Sequence, residues 1–252
     1  MFTRAITRKP GPEMVAGITS QNLGTPDFDL ALKQHATYVQ TLKVLGLEVT
    51  VLEAEPGYPD CCFVEDTAVV CEQVAVIAPL GAPTRQGEQE SMEPVLAKFK
   101  PVEHVLPPAL FEGGDVLQVG RKFYIGLTER TNQAGAEALG AAVAAHGYEW
   151  FAMQCGPSLH FKTDVNYIGE NTLLVSPFFE NAPELAEYTR IVVDDDEAYA
   201  RNCLHINGTT IVPAGFPKTL AKIEAAGIQT VVIEMSEYRK LDGGLTCLSL
   251  RF

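Results

Sequence analysis

The sequence predicts an α/β fold in which five β/α units close into a ring. Three observations lead there. Helix, glycine and strand follow one another in that order at three places. Short apolar pairs separated by turn residues recur between them, as β-hairpins do. Finally, the polar residues that open these units are Asp66, Asp115, His160, Cys203 and Cys247. They return about every 45 residues, a period typical of radial or stacked arrays.

Taken in order, Pro26-Asp27 caps a helical pattern over residues 30–45, Gly46 ends it, and residues 47–52 alternate as a strand. Residues 68–71 and 74–78 pair across Glu72-Gln73, and the loop 81–88 precedes a helix. Residues 116–119 and 123–125 flank Gly120-Arg121. Thr131-Asn132 then starts a helix over 134–146, which Gly147 stops ahead of a strand over 148–153. Residues 166–168 and 173–175 flank Gly169-Glu170-Asn171. Residues 203–206 and 210–212 flank Asn207-Gly208, a strong hairpin signal. Pro217 opens a helix over 219–226, closed by Gly227 before a strand over 228–233. The chain finishes Asp242-Gly-Gly-Leu-Thr-Cys247-Leu-Ser-Leu-Arg-Phe252. Its two glycines are expected to turn the backbone tightly and release it into an apolar strand. Residues 246–252 would pair with 4–7 and close the ring, leaving no open sheet edge.

The 252 residues are 46% hydrophobic, enough for a sizeable core. The net charge of -13 argues against nucleic acid, whose phosphates call for a basic surface, and favours a cationic small molecule. No apolar run is long enough to span a bilayer, so no membrane partner is expected. The basic start, Met1 to Pro10, lacks a following apolar stretch and reads as no signal peptide. None of the six cysteines forms a C-x-x-C pair or a zinc-like Cys/His set, so no metal site and reduced thiols in the cytoplasm are expected.

Cys247 stands at the end of the Gly-Gly turn, where a side chain can meet a ligand. A reactive thiol needs a neighbouring cation or base. His160 can supply either role, and Glu112, just before two glycines, can orient the imidazole. Asp60, Phe63, Glu65 and Asp66 form an acidic, partly apolar cluster, expected in an extended segment with Asp60 and Asp66 on one side. Carboxylates beside apolar groups suit a planar guanidinium. Arg85 and Arg130 precede helices and suit an anion. Together these point to a zwitterionic amino acid with a cationic side chain. Oxidation at the vicinal pair Cys61-Cys62 is the alternative of another class.

Phe63-Val-Glu-Asp66, Glu112-Gly-Gly-Asp115, Leu159-His-Phe-Lys-Thr163, Ala200-Arg-Asn-Cys203 and the stretch from Ser236 to Cys247 occur in one order along nearly the whole chain. In this the chain resembles the dimethylarginine dimethylaminohydrolases, of the guanidine-modifying superfamily. The resemblance implies a five-bladed β/α propeller (pentein) with pseudo-fivefold symmetry, built from ββαβ-like repeats as one catalytic domain over 1–252. It implies hydrolysis of asymmetric dimethylarginine or monomethylarginine to citrulline and an alkylamine, with no organic or metal cofactor. Cys247 matches the nucleophile, His160 the acid/base, Glu112 its partner and Asp66 the carboxylate on the guanidinium. Asp60, Phe63 and Glu65 match the substrate pocket, and Arg85 and Arg130 the α-carboxylate site. Ile18 falls in the mobile lid, and Leu241 where a backbone carbonyl meets the α-amino group. Arginine deiminases, the near alternative, carry an aspartate two residues after the histidine; here that residue is Lys162. Asp164 departs from the pattern and is expected to face away from the substrate. A non-catalytic binding protein of the same fold is a further alternative, against which the intact Cys247, His160 and Glu112 set speaks. A homo-oligomer is compatible with the sequence.

Overall fold

The computed structural model describes residues 1–252. The chain begins with β1 (Arg4–Arg8), α1 (Phe28–Val44), β2 (Glu48–Leu52), β3 (Ala68–Val70) and β4 (Ala75–Ile77). It continues through α2 (Glu88–Leu96), β5 (Val102–His104), β6 (Val116–Val119), β7 (Lys122–Leu127), α3 (Gln133–Ala144) and β8 (Glu149–Gln154). Then come β9 (Val165–Tyr167), β10 (Thr172–Val175), β11 (Thr189–Val192), β12 (Leu204–Ile206) and β13 (Thr209–Pro213). The last elements are α4 (Pro217–Ala225), β14 (Gln229–Ile233), α5 (Ser236–Arg239) and β15 (Leu250–Arg251).

These strands form five three-stranded sheets, each with one grammar: an antiparallel pair, then a crossover to a parallel third strand. The chain divides into two compact units. One, Met1–Phe63 with Thr163–Arg251, holds the sheets β15-β1-β2, β11-β10-β9 and β12-β13-β14. The other, Val64–Lys162 with Phe252, holds β3-β4-β5 and β6-β7-β8.

Local chemistry explains the elements. Asp27 caps α1 by accepting from the Leu30 amide, and Asn132 caps α3 by accepting from the Gly135 amide. Pro217 occupies the first turn of α4, where its missing N–H costs nothing. The β12–β13 turn is Asn207-Gly208, both in the left-handed region at φ 47° and 93°, as a two-residue hairpin needs. Four crossovers carry α-helices, but the one between β10 and β11 has only 3-10 turns at Pro177–Phe179 and Pro183–Leu185. Two prolines within seven residues prevent a regular helix there. Strand β1 does pair with the C-terminal strand, in the register Ala5↔Arg251 and Ile6↔Leu250.

Three local expectations are corrected. Cys247 is not at a strand end; it lies in a 3-10 turn, Thr246–Leu248, and the strand shrinks to Leu250–Arg251. Neither Gly243 nor Gly244 is left-handed, and the residue that is, Asp242, has φ 58°. The glycines are needed instead for close approach: a Cβ on Gly243 would lie 2.2 Å from Phe63 Cε1, and one on Gly244 2.3 Å from Asn202 Cγ. The acidic segment around residues 60–66 is also not extended, because it runs through turns into a 3-10 helix, Val64–Thr67.

Each unit has its own core. In the first, Tyr38, Leu42, Phe63, Ile211, Tyr238 and Leu248 belong to one buried cluster. In the second, Phe111, Phe123, Leu139 and Tyr148 belong to another. No helix is long and apolar enough to cross a membrane.

Candidate active site

The residues singled out by sequence fall into two sets, one in each unit. In Val64–Lys162 the centre is His160. Its Nε2 lies 2.8 Å from Glu112 Oε2 and 3.9 Å from Asp66 Oδ1. Glu112 Oε1 accepts from the Ala82 amide at 2.9 Å and from Arg130 Nη1 at 3.4 Å. Asp66 Oδ1 accepts from the Gly114 amide at 2.8 Å, and Oδ2 from Arg85 Nη1 at 2.5 Å. The Gly113-Gly114 pair allows this crowding, since a Cβ on Gly114 would lie 2.6 Å from His160 Nδ1 and 2.8 Å from Asp66 Oδ1.

The electrostatics follow from that packing. Burial by itself would lower the His160 pKa, but the charges of Asp66 and Asp115 and the hydrogen bond to Glu112 outweigh it and raise it to about 9. Burial would raise Glu112, yet the His160 hydrogen bond and charge, with Arg85 and Arg130, bring it down to about 2. At neutral pH the pair is imidazolium and carboxylate. Arg85 stays charged, because Asp66 and Glu88 outweigh its desolvation.

Arg85 and Arg130 differ in freedom. Arg85 is buried, and its guanidinium serves Asp66 and Glu88, the latter at 2.7 Å. Arg130 is more open, with 18% of its side chain exposed. Glu65, also buried, accepts from Lys162 Nζ at 2.6 Å. Two residues past His160 there is thus a buried ammonium, and Glu65 is neutralised by it.

In the other unit, Cys247 Sγ accepts from the Gly244 amide at 3.3 Å. Asp60 is buried and both its oxygens lie 3.2 Å from the Ile18 amide. The segment after Ile18 is tied to the stretch before Cys247. Asp242 accepts from the Ser20 amide at 2.5 Å, from Ser20 Oγ at 3.0 Å and from Gln21 Nε2 at 2.7 Å, while Thr19 Oγ1 donates to the Lys240 carbonyl. Leu241 is buried and Ile18 exposed. Phe63 packs edge-on to Tyr238. Asp164 is buried beside Arg201, Oδ1 to Nη1 3.5 Å. None of the six cysteines is in a disulfide, and Cys61 and Cys62 are both buried.

Sequence reasoning missed several supporting groups. In the sequence Asp115 stands out only as a repeat position and as the end of Glu112-Gly-Gly-Asp115, with no role of its own, yet it accepts from the Phe161 amide, Thr128 Oγ1 and Thr131 Oγ1, fixing the backbone next to His160. Glu88 was not singled out, and nothing in the sequence marks it except its distance of three residues from Arg85. Asn202 and Tyr199 hold the Cys247 turn; Asn202 carries a signal only within Ala200-Arg-Asn-Cys203, and Tyr199, just before that stretch, carries none.

Five sheets of one grammar and a buried imidazole–carboxylate pair, in a chain that also carries a turn-borne cysteine, mark the class of β/α-propeller hydrolases. The model of the family described as N,N dimethylarginine dimethylhydrolase, eukaryotic, matches residues 26–198. The N(G),N(G)-dimethylarginine dimethylaminohydrolase of Pseudomonas aeruginosa is 39% identical over 254 residues, covering 100% of both chains. The chain belongs to the dimethylarginine dimethylaminohydrolase family. Among solved structures, the Pseudomonas aeruginosa protein as a cysteine-to-serine mutant complexed with citrulline matches with TM-score 0.97 at 38% identity, covering 100% of both chains. A histidine-to-glycine dimethylarginine dimethylaminohydrolase adduct with S-methyl-L-thiocitrulline gives the same TM-score, identity and coverage. The five-bladed β/α propeller expected from the sequence is the fold class of this chain.

Proposed function

We propose that this chain hydrolyses Nω-methylated arginine, asymmetric dimethylarginine or monomethylarginine, to citrulline and dimethylamine or methylamine. The observation that carries the reading is the buried His160–Glu112 pair at 2.8 Å, flanked by Asp66, in a family whose solved relatives hold citrulline and a thiocitrulline adduct. All 252 residues act as one catalytic domain in this reading, in the cytoplasm, where six cysteines persist without disulfides.

In the mechanism, the Cys247 thiolate attacks the guanidinium carbon and forms a C–S bond. The C–N bond to the alkylated nitrogen then breaks, and that nitrogen takes the proton of the His160 imidazolium as it leaves. What remains is an amidino-cysteine. Neutral His160 next takes a proton from water, whose oxygen attacks the same carbon. Collapse breaks the C–S bond, releasing citrulline and the thiolate. Two moderate steps replace one difficult displacement. Glu112 keeps the imidazole oriented and its pKa high enough to donate.

Asp66 and Asp60 favour the cationic side chain, with Phe63 beside its apolar part. Of the two arginines, Arg130 is the better candidate for the substrate carboxylate, because Arg85 already serves two buried carboxylates. Ile18 closes over the substrate, and the Leu241 carbonyl accepts from its α-amino group. The preference for methylated over plain arginine is supported by Lys162, which neutralises Glu65 where a deiminase would add an aspartate. Asp164 takes no part, being paired with Arg201.

The test is citrulline formation from asymmetric dimethylarginine and from arginine, side by side, with the wild type and Cys247→Ser. Turnover of the methylated substrate alone, abolished in the variant, is the expected result. Faster turnover of arginine would reassign the chain to deimination, and full activity in Cys247→Ser would remove the nucleophile.

A further inference from the structure

The nucleophile turn is held by residues that the reaction does not consume. Asn202 grips Thr246 twice: its Oδ1 accepts from the Thr246 amide at 2.9 Å, and its Nδ2 donates to Thr246 Oγ1 at 3.2 Å. The same carboxamide lies where a Cβ on Gly244 would be, so Gly244 sits directly against it. Tyr199 supports the other end of the turn, its hydroxyl donating to the Gly243 carbonyl at 2.7 Å. The Tyr199 ring is itself fixed, 5.5 Å from Phe216, with the Arg239 guanidinium 5.3 Å from its centroid. Between these two anchors the Gly244 amide donates to Cys247 Sγ at 3.3 Å.

We propose that Asn202 and Tyr199 are positioning residues for the nucleophile, holding residues 243–246 so that the Gly244 amide is aimed at the Cys247 sulfur. The inference rests on Cys247 being the nucleophile. A thiolate gains more from an N–H donor than a thiol does, so the aimed amide favours the attacking form. It also favours the step in which the C–S bond breaks and the sulfur recovers its charge. The donor must not drift with the turn, and glycine at 244 brings no side chain to brace it. Asn202 supplies the brace. Tyr199 stays a donor throughout, because burial and the neighbouring Cys247 sulfur push its phenol up.

The experiment compares wild type, Asn202→Ala and Tyr199→Phe. The pH dependence of Cys247 alkylation by iodoacetamide is followed by peptide-resolved mass spectrometry, alongside kcat and KM for asymmetric dimethylarginine. The Asn202→Ala midpoint is expected to rise by about one unit, the size that loss of one charge-assisted hydrogen bond gives. A fall in kcat of about tenfold should accompany it, with KM little changed. Tyr199→Phe keeps the ring stack and should move the midpoint the same way by less. Thermal melting identifies the folded variants, and if Asn202→Ala does not fold, Tyr199→Phe decides alone. A wild-type midpoint in either folded variant overturns the role of that residue. Failure of the nucleophile assignment shows elsewhere, as retained turnover in Cys247→Ser.

Discussion

Glu112 shows how much one carboxylate can arrange. Its two oxygens serve His160, Arg130 and the Ala82 amide. We predict that Glu112→Gln lowers the His160 pKa from about 9, read by NMR titration of the imidazole, because a neutral amide gives up the negative charge that holds the proton. An unmoved titration would assign the shift to Asp66 and Asp115 alone. The stability consequence has a definite sign. His160 is raised above its ordinary 6.5, so its contribution is complete below pH 6.5 and lost as pH rises through about 9. Glu112 is lowered from 4.5, so its contribution is complete above 4.5 and lost as pH falls through about 2. Glu112 and His160 were legible from residue type and from the glycines that follow Glu112. The reason for Gly114 was not, because it is the imidazole of His160 lying against it, far along the chain from its own loop, and the same holds of Gly244 and Asn202.

 

At the scale of elements, the turns were easier to read than their neighbours. Asn207-Gly208 announced its hairpin by composition alone, and the structure adds a second role. Asn207 Nδ2 donates to the Phe2 and Leu45 carbonyls, and its Oδ1 accepts from the Phe2 amide. We predict that Asn207→Ala destabilises the fold by about 1–2 kcal/mol in urea denaturation, through lost hydrogen bonds and a strained left-handed alanine. A change below about 0.5 kcal/mol, the usual size for a surface substitution, would mean that the turn tolerates other residues. The helices α1, α3 and α4 were legible because a capping residue or proline precedes each and a left-handed glycine follows. Helix α2 was read only as a helix following the Arg85 loop, since Pro94 interrupts its pattern. The Cys247 turn was misread as a strand start because Leu248 and Leu250 suit either state, and the contacts that decide it come from Asn202, Tyr199 and Tyr38.

For the molecule as a whole, the repeat was visible in the punctuation although its five copies share little sequence. Strand pairs and crossovers need only alternation, turn residues and caps, so they survive wide variation in composition. The copy without a helix shows the limit of that reading, since two prolines replace the helix without disturbing the β10–β11 pairing. The net charge of -13 acts at this scale too. A cationic substrate is concentrated by such a field, and salt screens it over about 10 Å at 0.1 M. We predict that kcat/KM for asymmetric dimethylarginine falls severalfold between low and high salt while kcat holds. A kcat/KM that is flat with ionic strength would confine the charge to a solubility role.

Asp242 has a consequence for anyone redesigning this protein. A non-glycine residue at φ 58° is a standard target for stabilisation by Gly or Asn. Here the strained residue also supplies the carboxylate that ties Ser20 and Gln21 to the stretch leading into Cys247. Replacement by glycine would ease the backbone and release the tether in the same stroke. A screen scored on melting temperature alone would therefore reward a change that an activity screen would reject.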